Sequence, residues 1–540
     1  MQGNMMRFPL TLNHLLERAG KLFARSEIVS RLADRSLHRY SYADFHGRSR
    51  ALGQALARAG IRRGDRVGTL MWNGYRHLEC YFGIPAAGAA LHTLNLRLHA
   101  DELAYIVNHA EDRFLIVDDV LVPLLETFRD RIKVERILVA GESGAYESYE
   151  EFIAGSDGDF TCAAVEEDDA AALCYTSGTT GKPKGVLYSH RALVLHSFAI
   201  CMADTFAISH QDTVMPVMPM FHANAWGVPF AAVMCGSKLV FPGRHVAPGL
   251  LLELAASERV TFSGAVPTVW LAVVMALDCA PQQWKLGPMR VVIAGSAPPE
   301  SLIRRLNDHG IRVIHPWGLT ETSPIATVCF PKQHMRGLSQ DELLRLTTRQ
   351  GLPCAFVEMR VMSDAGEAPW DGQSMAEVQL RGPWIAAKYF KTDEQTDKWT
   401  DDGWFRTGDV VTVDSEGYMK IADRTKDLIK SGGEWISSVD VENALVGHPA
   451  VAEAAVIAVA HPTWLERPLA VVVLCPGAKV SAEELRAYLA EQHSFAKWQL
   501  PDDFVFVSEL PHTSTGKLLK TELRQQYAEW KWPSGRDTSL

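Results

Sequence analysis

Cysteine is scarce in this chain of 540 residues, with nine, an odd count. No two stand at CxxC spacing, which excludes a disulfide framework and a zinc knuckle and makes a reducing cytoplasm the expected compartment. Positive charge is also short. The 54 Lys and Arg against 64 Asp and Glu leave a net charge of −10, and such a surface repels a phosphate backbone, so general nucleic-acid binding is excluded. Long unbroken apolar runs are missing as well. The longest uncharged stretch, 213–237, carries Pro216, Pro219, Pro229, His222 and Asn224, which predicts buried strand and loop instead of a transmembrane segment. The next, 260–277, is interrupted by Ser263, Gly264 and Pro267. The N-terminus has no apolar run followed by a small-residue cleavage site, so export is not expected. Internal repeats and low-complexity tracts are absent too.

What is present reads as an ordinary globular protein. Hydrophobic residues make up 47% and charged residues 22%, with 40 Gly and 27 Pro, and the length corresponds to roughly three to five packed units. Leu12, Leu15, Leu16, Ala19, Leu22 and Phe23 share one helical face. A second helix starts near Ser41, with Asp44 as its capping-box partner, and ends at Gly60. Strand-like runs at 66–71, 114–117, 137–140, 171–175, 238–241, 291–294 and 312–314 then alternate with helical stretches such as 101–109. That rhythm predicts α/β architecture, with mostly parallel sheets covered by helices on both faces. Past Gly417 the texture changes. A strand-like 418–421 leads into the charged turn Asp423-Arg424-Thr425-Lys426-Asp427, where the domain boundary is expected. A small α+β unit follows, with strands at 454–459 and 504–507 and a helix capped by Ser481 and Glu484.

The densest chemical signal is Tyr175-Thr176-Ser177-Gly178-Thr179-Thr180-Gly181-Lys182-Pro183-Lys184-Gly185, directly after a strand-like run. Glycines let such a loop turn several backbone N–H groups toward one point, while its hydroxyls and lysines add donors, which suits a polyphosphate. A Walker A loop is excluded: Gly181-Lys182 is followed by Pro183, and Thr176 stands where the first Gly would be required.

This loop resembles the phosphate-binding signature of the adenylate-forming enzymes, the superfamily of acyl-CoA synthetases, peptide-synthetase adenylation domains and beetle luciferases. Further signatures follow in that family's order: Met220-Phe221-His222 with Trp226-Gly227, Ala294-Gly295-Ser296-Ala297, and Trp317-Gly318-Leu319-Thr320-Glu321-Thr322. Gly403-Trp404-Phe405-Arg406-Thr407-Gly408-Asp409 comes next, then Asp423-Arg424 through Lys430-Ser431-Gly432-Gly433, and finally Pro511-His512-Thr513-Ser514-Thr515-Gly516-Lys517. The resemblance spans nearly the whole chain. It implies a large N-terminal domain of doubly covered sheets with a β-rich subdomain, residues 1–425, and a small mobile α+β lid, residues 426–540. The implied cofactors are ATP and Mg²⁺, with coenzyme A as a substrate, and homodimers are among the expected assemblies.

In the implied reaction a carboxylate attacks the α-phosphate of ATP to give acyl-AMP and pyrophosphate, and the CoA thiol then displaces AMP. Both halves need charge neutralised where it builds up. By resemblance, Thr176, Ser177, Gly178, Thr179, Thr180, Gly181 and Lys184 cradle the β- and γ-phosphates. Thr176 and Glu321 hold Mg²⁺, a hard cation that prefers oxygen, and Thr320 meets the α-phosphate. Adenine lies between Gly295, Ser296, Ala297 and the stretch His315, Pro316, Trp317, Gly318, where Trp317 offers a ring for stacking. Asp409, supplemented by Arg424, receives the ribose hydroxyls. Lys517 bridges the carboxylate and the α-phosphate as a point charge. Lys426 matches the hinge about which the small domain swings, bringing Lys430, Ser431, Gly432, Gly433, Glu434 and Trp435 to the acyl-adenylate for CoA. His222 sits between acyl pocket and CoA channel.

The acyl pocket is placed by the same resemblance at His222, Trp226, Gly227, Gly264, Val266, Pro267, Gly295, Thr322 and Pro324. These residues are apolar or small, with no cation for a second carboxylate and no Asp for an amino group, so a simple apolar acid is expected. The segments 218–227 and 429–438 are similar to those of medium-chain fatty acyl-CoA ligases and 3-(methylthio)propionate-CoA ligases of bacteria. Transfer of the acyl group to a carrier protein or to oxygen is a rival within enzymes. A catalytically silent acyl-adenylate or nucleotide sensor is the rival outside them, and joint retention of Lys517, Glu321, Asp409 and Arg424 argues against it.

Overall fold

In a computed structural model of the chain, residues 3–155, 160–176, 182–392, 396–431, 434–492, 495–512 and 518–532 are described. Two seven-stranded sheets form the centre. The first runs 311–314, 289–293, 262–265, 213–216, 238–241, 27–31 and 37–41, all parallel except the terminal hairpin. The second runs 147–148, 136–140, 112–118, 66–70, 90–93, 170–175 and 185–189, again parallel except for the last pair. Their β-rich sequences, buried on both faces, give the near-continuous apolar runs typical of parallel strands.

The amphipathic helix Leu12–Leu22, the helix Tyr42–Arg58 with its Ser41–Asp44 capping box, and the helices Tyr75–Ala86, His190–Cys201 and Val228–Cys235 pack between the two sheets. Separate cores cover the outer faces, one built on Pro248–Glu258, Pro267–Cys279 and Glu300–Asp308, the other on Ala100–Ala110 and Val122–Glu126. Each sheet is therefore helix-covered on both sides, the arrangement that βα alternation demands.

One expectation is overturned. The stretch 213–237 is strand and loop only at its start: Thr213–Pro216 is a strand, but Val228–Cys235 is a helix. Pro229, a breaker inside a helix, sits here in the first turn, where a missing N–H costs nothing, and Gly236 ends the helix at φ 72°. Pro267 likewise opens the helix Pro267–Cys279. All nine cysteines are free, and the sulfurs of Cys201 and Cys235 lie 3.5 Å apart.

A three-stranded antiparallel sheet, 316–318, 325–328 and 352–353, and a five-stranded antiparallel sheet of 366–367, 358–363, 376–381, 405–413 and 419–424 follow. The last sheet pairs 434–436, 429–431, 465–474 and 451–461, with 503–507 added parallel to 465–474. With the helices Ser438–Val446, Ala482–Gln492 and Lys520–Gln526 it forms a small α+β unit with its own cores. The chain is thus a mixed α/β protein with a large multi-sheet N-terminal part and a small C-terminal α+β domain.

Candidate functional site

Two adjoining cavities, of about 310 and 350 Å³, open where the C-terminal ends of the central strands meet the antiparallel sheets and the small domain. They share Gly295, Gly318, Leu319, Arg424 and Lys426.

The 350 Å³ cavity is electrically divided. One end carries Lys182, Lys184, Lys398, Arg424 and Lys426 around Thr176, Thr320 and Glu321. Five cationic side chains lining one cavity, in a chain of net charge −10, favour an anion there. The other end is lined by His222, Ala223, Trp226, Val266, Ala294, Pro324 and Ile325 and carries no formally charged side chain among them.

Thr176 leaves the strand Ala170–Tyr175 with its N–H donating to the Lys184 carbonyl at 2.9 Å, while the Lys184 N–H donates to Thr176 Oγ1 at 3.2 Å. These bonds close the base of the 176–184 loop, whose residues Ser177, Gly178, Thr179, Thr180 and Gly181 lie outside the described residues. Across the cavity the Tyr389 hydroxyl donates to Glu321 Oε1 at 2.6 Å, and Lys184 Nζ stands over the Tyr389 ring at 4.9 Å. Tyr389 therefore fixes both an oxygen donor and a cation. Sequence reasoning missed it, because Tyr389-Phe390 follows no motif, and missed Lys398 for the same reason. Thr320 is held by its carbonyl, which accepts the Tyr188 hydroxyl at 2.7 Å.

The neighbouring 310 Å³ cavity is lined by Gly295, Ser296, Ala297, His315, Pro316, Trp317 and Asp409. Asp409, 4% exposed, receives the Trp317 indole N–H on Oδ2 at 3.0 Å and faces Arg424 Nε from Oδ1 at 3.3 Å. Register explains the pairing, since Asp409 and Arg424 are cross-strand partners on adjacent strands of the five-stranded sheet. His315 is buried, its Nδ1–H donates to the Thr347 carbonyl at 3.0 Å, and burial lowers its pKa to about 4, so it is neutral.

Gly318 shows why no other residue fits its place. A Cβ there would lie 1.6 Å from the Pro324 carbonyl oxygen and 2.8 Å from Thr322 Oγ1. Gly318→Ala must displace the backbone that carries Thr320 and Glu321. We expect the adenylate formation that the family resemblance implies to fall about 100-fold, a loss that a misplacement near 1 Å can cause, as measured by pyrophosphate release.

The apolar end is shaped by an unusual backbone. Ala223, Asn224, Ala225 and Trp226 all have positive φ (44°, 51°, 47° and 56°), followed by Gly227 at 75°. Each non-glycine residue in this region costs about 1–2 kcal/mol, so the turn must be held by its surroundings. Asn224 Oδ1 accepts the Cys174 S–H, the Asn73 amide donates to the Pro216 and Met218 carbonyls, and Asn73 Oδ1 accepts the Met220 N–H at 2.8 Å. Gly227 backs onto His196, whose Nδ1 would lie 2.6 Å from a Cβ.

The AMP-binding enzyme family matches residues 17–390, and its C-terminal domain matches residues 440–517. The chain belongs to the AMP-binding enzyme family. A long-chain-fatty-acid–CoA ligase of Thermus thermophilus is 50% identical over 98% of this chain and 97% of its own length. A medium-chain-fatty-acid–CoA ligase of Ectopseudomonas oleovorans is 42% identical over 98% of both. A 3-methylmercaptopropionyl-CoA ligase of Ruegeria lacuscaerulensis is also 42% identical, over 98% of this chain and 99% of its own. The crystal structure of the anthranilate CoA ligase AuaEII in complex with anthranoyl-AMP superposes with a TM-score of 0.86 at 26% identity, covering 97% of this chain and 99% of that one.

In this AMP-binding enzyme the expected site residues divide into three groups. Thr176, Lys184, His222, Trp226, Val266, Gly295, Thr320, Glu321, Pro324, Arg424 and Lys426 converge on the larger cavity, and Ser296, Ala297, His315, Pro316, Trp317, Gly318, Asp409 and Pro267 on its neighbour. Gly227, Gly264 and Thr322 line neither, and stand one layer behind. The third group lies elsewhere. Lys430 and Trp435 are cross-strand partners with the ammonium 4.6 Å from the ring centroid, away from both cavities, and Ser431 Oγ accepts from Arg467. Gly432, Gly433, the Glu434 side chain and Lys517 lie outside the described residues. The residues that bracket the last segment, His512 and Leu518, form a bridge to each other and both line the smaller cavity. Among the described residues no group of three or more His, Cys, Asp or Glu is arranged to hold a metal, and no helix is long and apolar enough to cross a membrane.

Proposed function

We propose that the protein is an AMP-forming fatty acyl-CoA ligase that activates an apolar, medium-chain carboxylic acid through acyl-AMP. The observation that carries this reading is the divided cavity, with five cations at one end and only apolar or neutral side chains at the other. A triphosphate fits the first and an aliphatic chain the second, and the acid's carboxylate then falls at the α-phosphate between them. Full-length relatives named for long-chain and medium-chain fatty acids support the substrate class.

In this reading Thr176, Lys184, Thr320 and the loop 177–181 orient the triphosphate, Trp317 stacks on adenine beside Gly295, Ser296 and Ala297, and Asp409 with Arg424 receives the ribose. Thr176 and Glu321 would hold Mg²⁺ through their oxygens, which suits a hard cation. Mg²⁺ would neutralise the phosphate charge as the carboxylate approaches. The orientation described, with 512 and 518–521 at the cavity and Lys430 and Trp435 remote, suits the first half-reaction. A swing of the small domain, residues 426–540, about Lys426 at the end of the 1–425 domain would bring the 430–435 segment up for CoA.

The test offers Mg·ATP, CoA and acids from acetate to palmitate, together with 3-(methylthio)propionate and aromatic acids, and quantifies acyl-CoA and AMP by mass spectrometry. A maximum at medium chain length is expected. A maximum at 3-(methylthio)propionate would move the assignment to the sulfur acid that the Ruegeria relative is named for, and AMP without acyl-CoA would remove CoA as acceptor.

A further inference from the structure

The small domain carries a buried cation that the chemistry above does not use. Lys520 opens the helix Lys520–Gln526, three residues beyond Lys517, and its side chain is only 10% exposed. Its ammonium lies 2.7 Å from Glu442 Oε1, which also accepts the Val456 N–H at 2.7 Å. The same ammonium donates to Ser438 Oγ. Ser438 is fully buried, and both its N–H, at 2.9 Å, and its hydroxyl donate to Asp423 Oδ2. Asp423 is 2% exposed and sits at the end of the strand Met419–Arg424, next to the ribose-side Arg424.

These partners lie on opposite sides of Lys426. Asp423 belongs to the large domain; Ser438, Glu442 and Lys520 belong to the small one. Asp423 thus caps, from across the boundary, the N-terminus of the helix Ser438–Val446, where a carboxylate is favoured by the helix dipole. Ser437 reinforces the contact by donating to the Ala422 carbonyl, and Lys420 pairs with Asp440 at 2.8 Å. A rotation about Lys426 keeps Lys520, Ser438 and Glu442 together but separates all three from Asp423. It leaves Asp423 with only the Arg424 N–H, 2.8 Å from its Oδ1, and leaves the Ser438 N–H and hydroxyl without their acceptor, and buried groups that lose a partner are costly.

We propose that Asp423, Ser438 and Lys520 form a latch that holds the small domain in the adenylating orientation, with His512 and Leu518 at the smaller cavity and with Lys520 and Ser438 as positioning residues. The consequence for catalysis rests on the ligase reading above; the latch itself does not. Lys520 directly follows the pairing of Pro511 with Leu519, where the Leu519 N–H donates to the Pro511 carbonyl at 2.8 Å. Glu442 holds Lys520 within the small domain and does not cross the boundary.

The test separates the half-reactions in the full-length enzyme. Acyl-AMP formation is followed from acid and Mg·ATP without CoA, and acyl-CoA formation from supplied acyl-AMP and CoA. Ser438→Ala and Lys520→Met are expected to lower the first about tenfold and leave the second at or above the wild-type rate, and Lys520→Arg, which keeps the charge, is expected to restore the ratio. Glu442→Gln is expected to lower the melting temperature without changing that ratio. Unchanged ratios in Ser438→Ala and Lys520→Met, or an equal shift in Glu442→Gln, would overturn the latch. Tryptic cleavage after Lys426 provides a readout independent of activity. It should accelerate severalfold in Ser438→Ala and Lys520→Met relative to Glu442→Gln, and equal rates would overturn the latch. If the wild-type enzyme performs neither half-reaction, the ligase reading fails and the cleavage rates still decide the latch.

Discussion

Replacing Lys517 by Ala is expected to lower acyl-AMP formation about 10³-fold while ATP still binds. In the first half-reaction two anions, the acid's carboxylate and the α-phosphate, are forced together, and negative charge accumulates on the oxygens between them. A fixed cation there acts on the transition state more than on bound ATP, because the charge it meets is greatest at the moment of attack. Five other cations line the cavity proposed for the triphosphate, so ground-state affinity should fall little. Loss of a single preorganised electrostatic group typically lowers the rate about 10²–10³-fold, and the role proposed for Lys517, beside both reacting anions, puts its loss at the upper end. The check is pyrophosphate release alongside ATP binding by calorimetry. Unchanged pyrophosphate release would remove Lys517 from the role. Supplied acyl-AMP should still be converted to acyl-CoA by the variant, since that half-reaction has no carboxylate–phosphate encounter.

Much of this was legible from residue order alone, for reasons that differ by element. The strands at 238–241 and 503–507 and the helix behind Ser41 are local events, fixed by β-branched runs and a capping box, and they form within a residue or two of the expected positions. The helix Val228–Cys235 was misread because a proline was taken as a breaker without asking which helical turn it occupies. The left-handed turn at 223–226 carries no local signal, since Ala and Trp disfavour positive φ; it exists because Asn73 and Cys174, far apart in sequence, hold the segment. The site itself divides in the same way. The phosphate loop announces its chemistry through glycines and hydroxyls packed into eleven residues. Asp409 with Arg424, and Tyr389 with Glu321, meet only after strands pair or loops cross. No spacing encodes that, and the first pair was reached through family resemblance, while Tyr389 was not reached at all. Asp423 and Ser438 were invisible for a further reason: a helix cap supplied from another domain has no sequence pattern, because the pattern of a capping box is its fixed three-residue offset.

Asp409→Ala is expected to raise the KM for ATP at least about 100-fold with little change in the KM for the acid. The carboxylate is nearly buried and already oriented by two donors, the Trp317 indole on one oxygen and Arg424 on the other. That leaves its outward lone pairs for the two ribose hydroxyls of the proposed reading, in which binding requires no reorganisation of the side chain. Hydrogen bonds to a charged acceptor contribute about 1.5–3 kcal/mol each, and two of them lost together correspond to at least a hundredfold in affinity at 1.4 kcal/mol per tenfold. A second effect acts in the same direction. Without Asp409 the buried Trp317 N–H loses its acceptor, and the ring on which adenine is proposed to stack loses the bond that sets its angle. Asp409→Asn distinguishes the two contributions, because an amide keeps one carbonyl oxygen for Trp317 and loses the charge. If ring orientation dominated, Asn would restore most of the ATP affinity; if ribose recognition dominates, as the outward lone pairs argue, Asn should recover less than half of the lost binding free energy. Measuring the KM for ATP and for acid in both variants, with tryptophan fluorescence to follow Trp317, reads the two apart. An acid KM that rose in parallel with that for ATP would show instead that Asp409 supports the whole site and not the ribose alone.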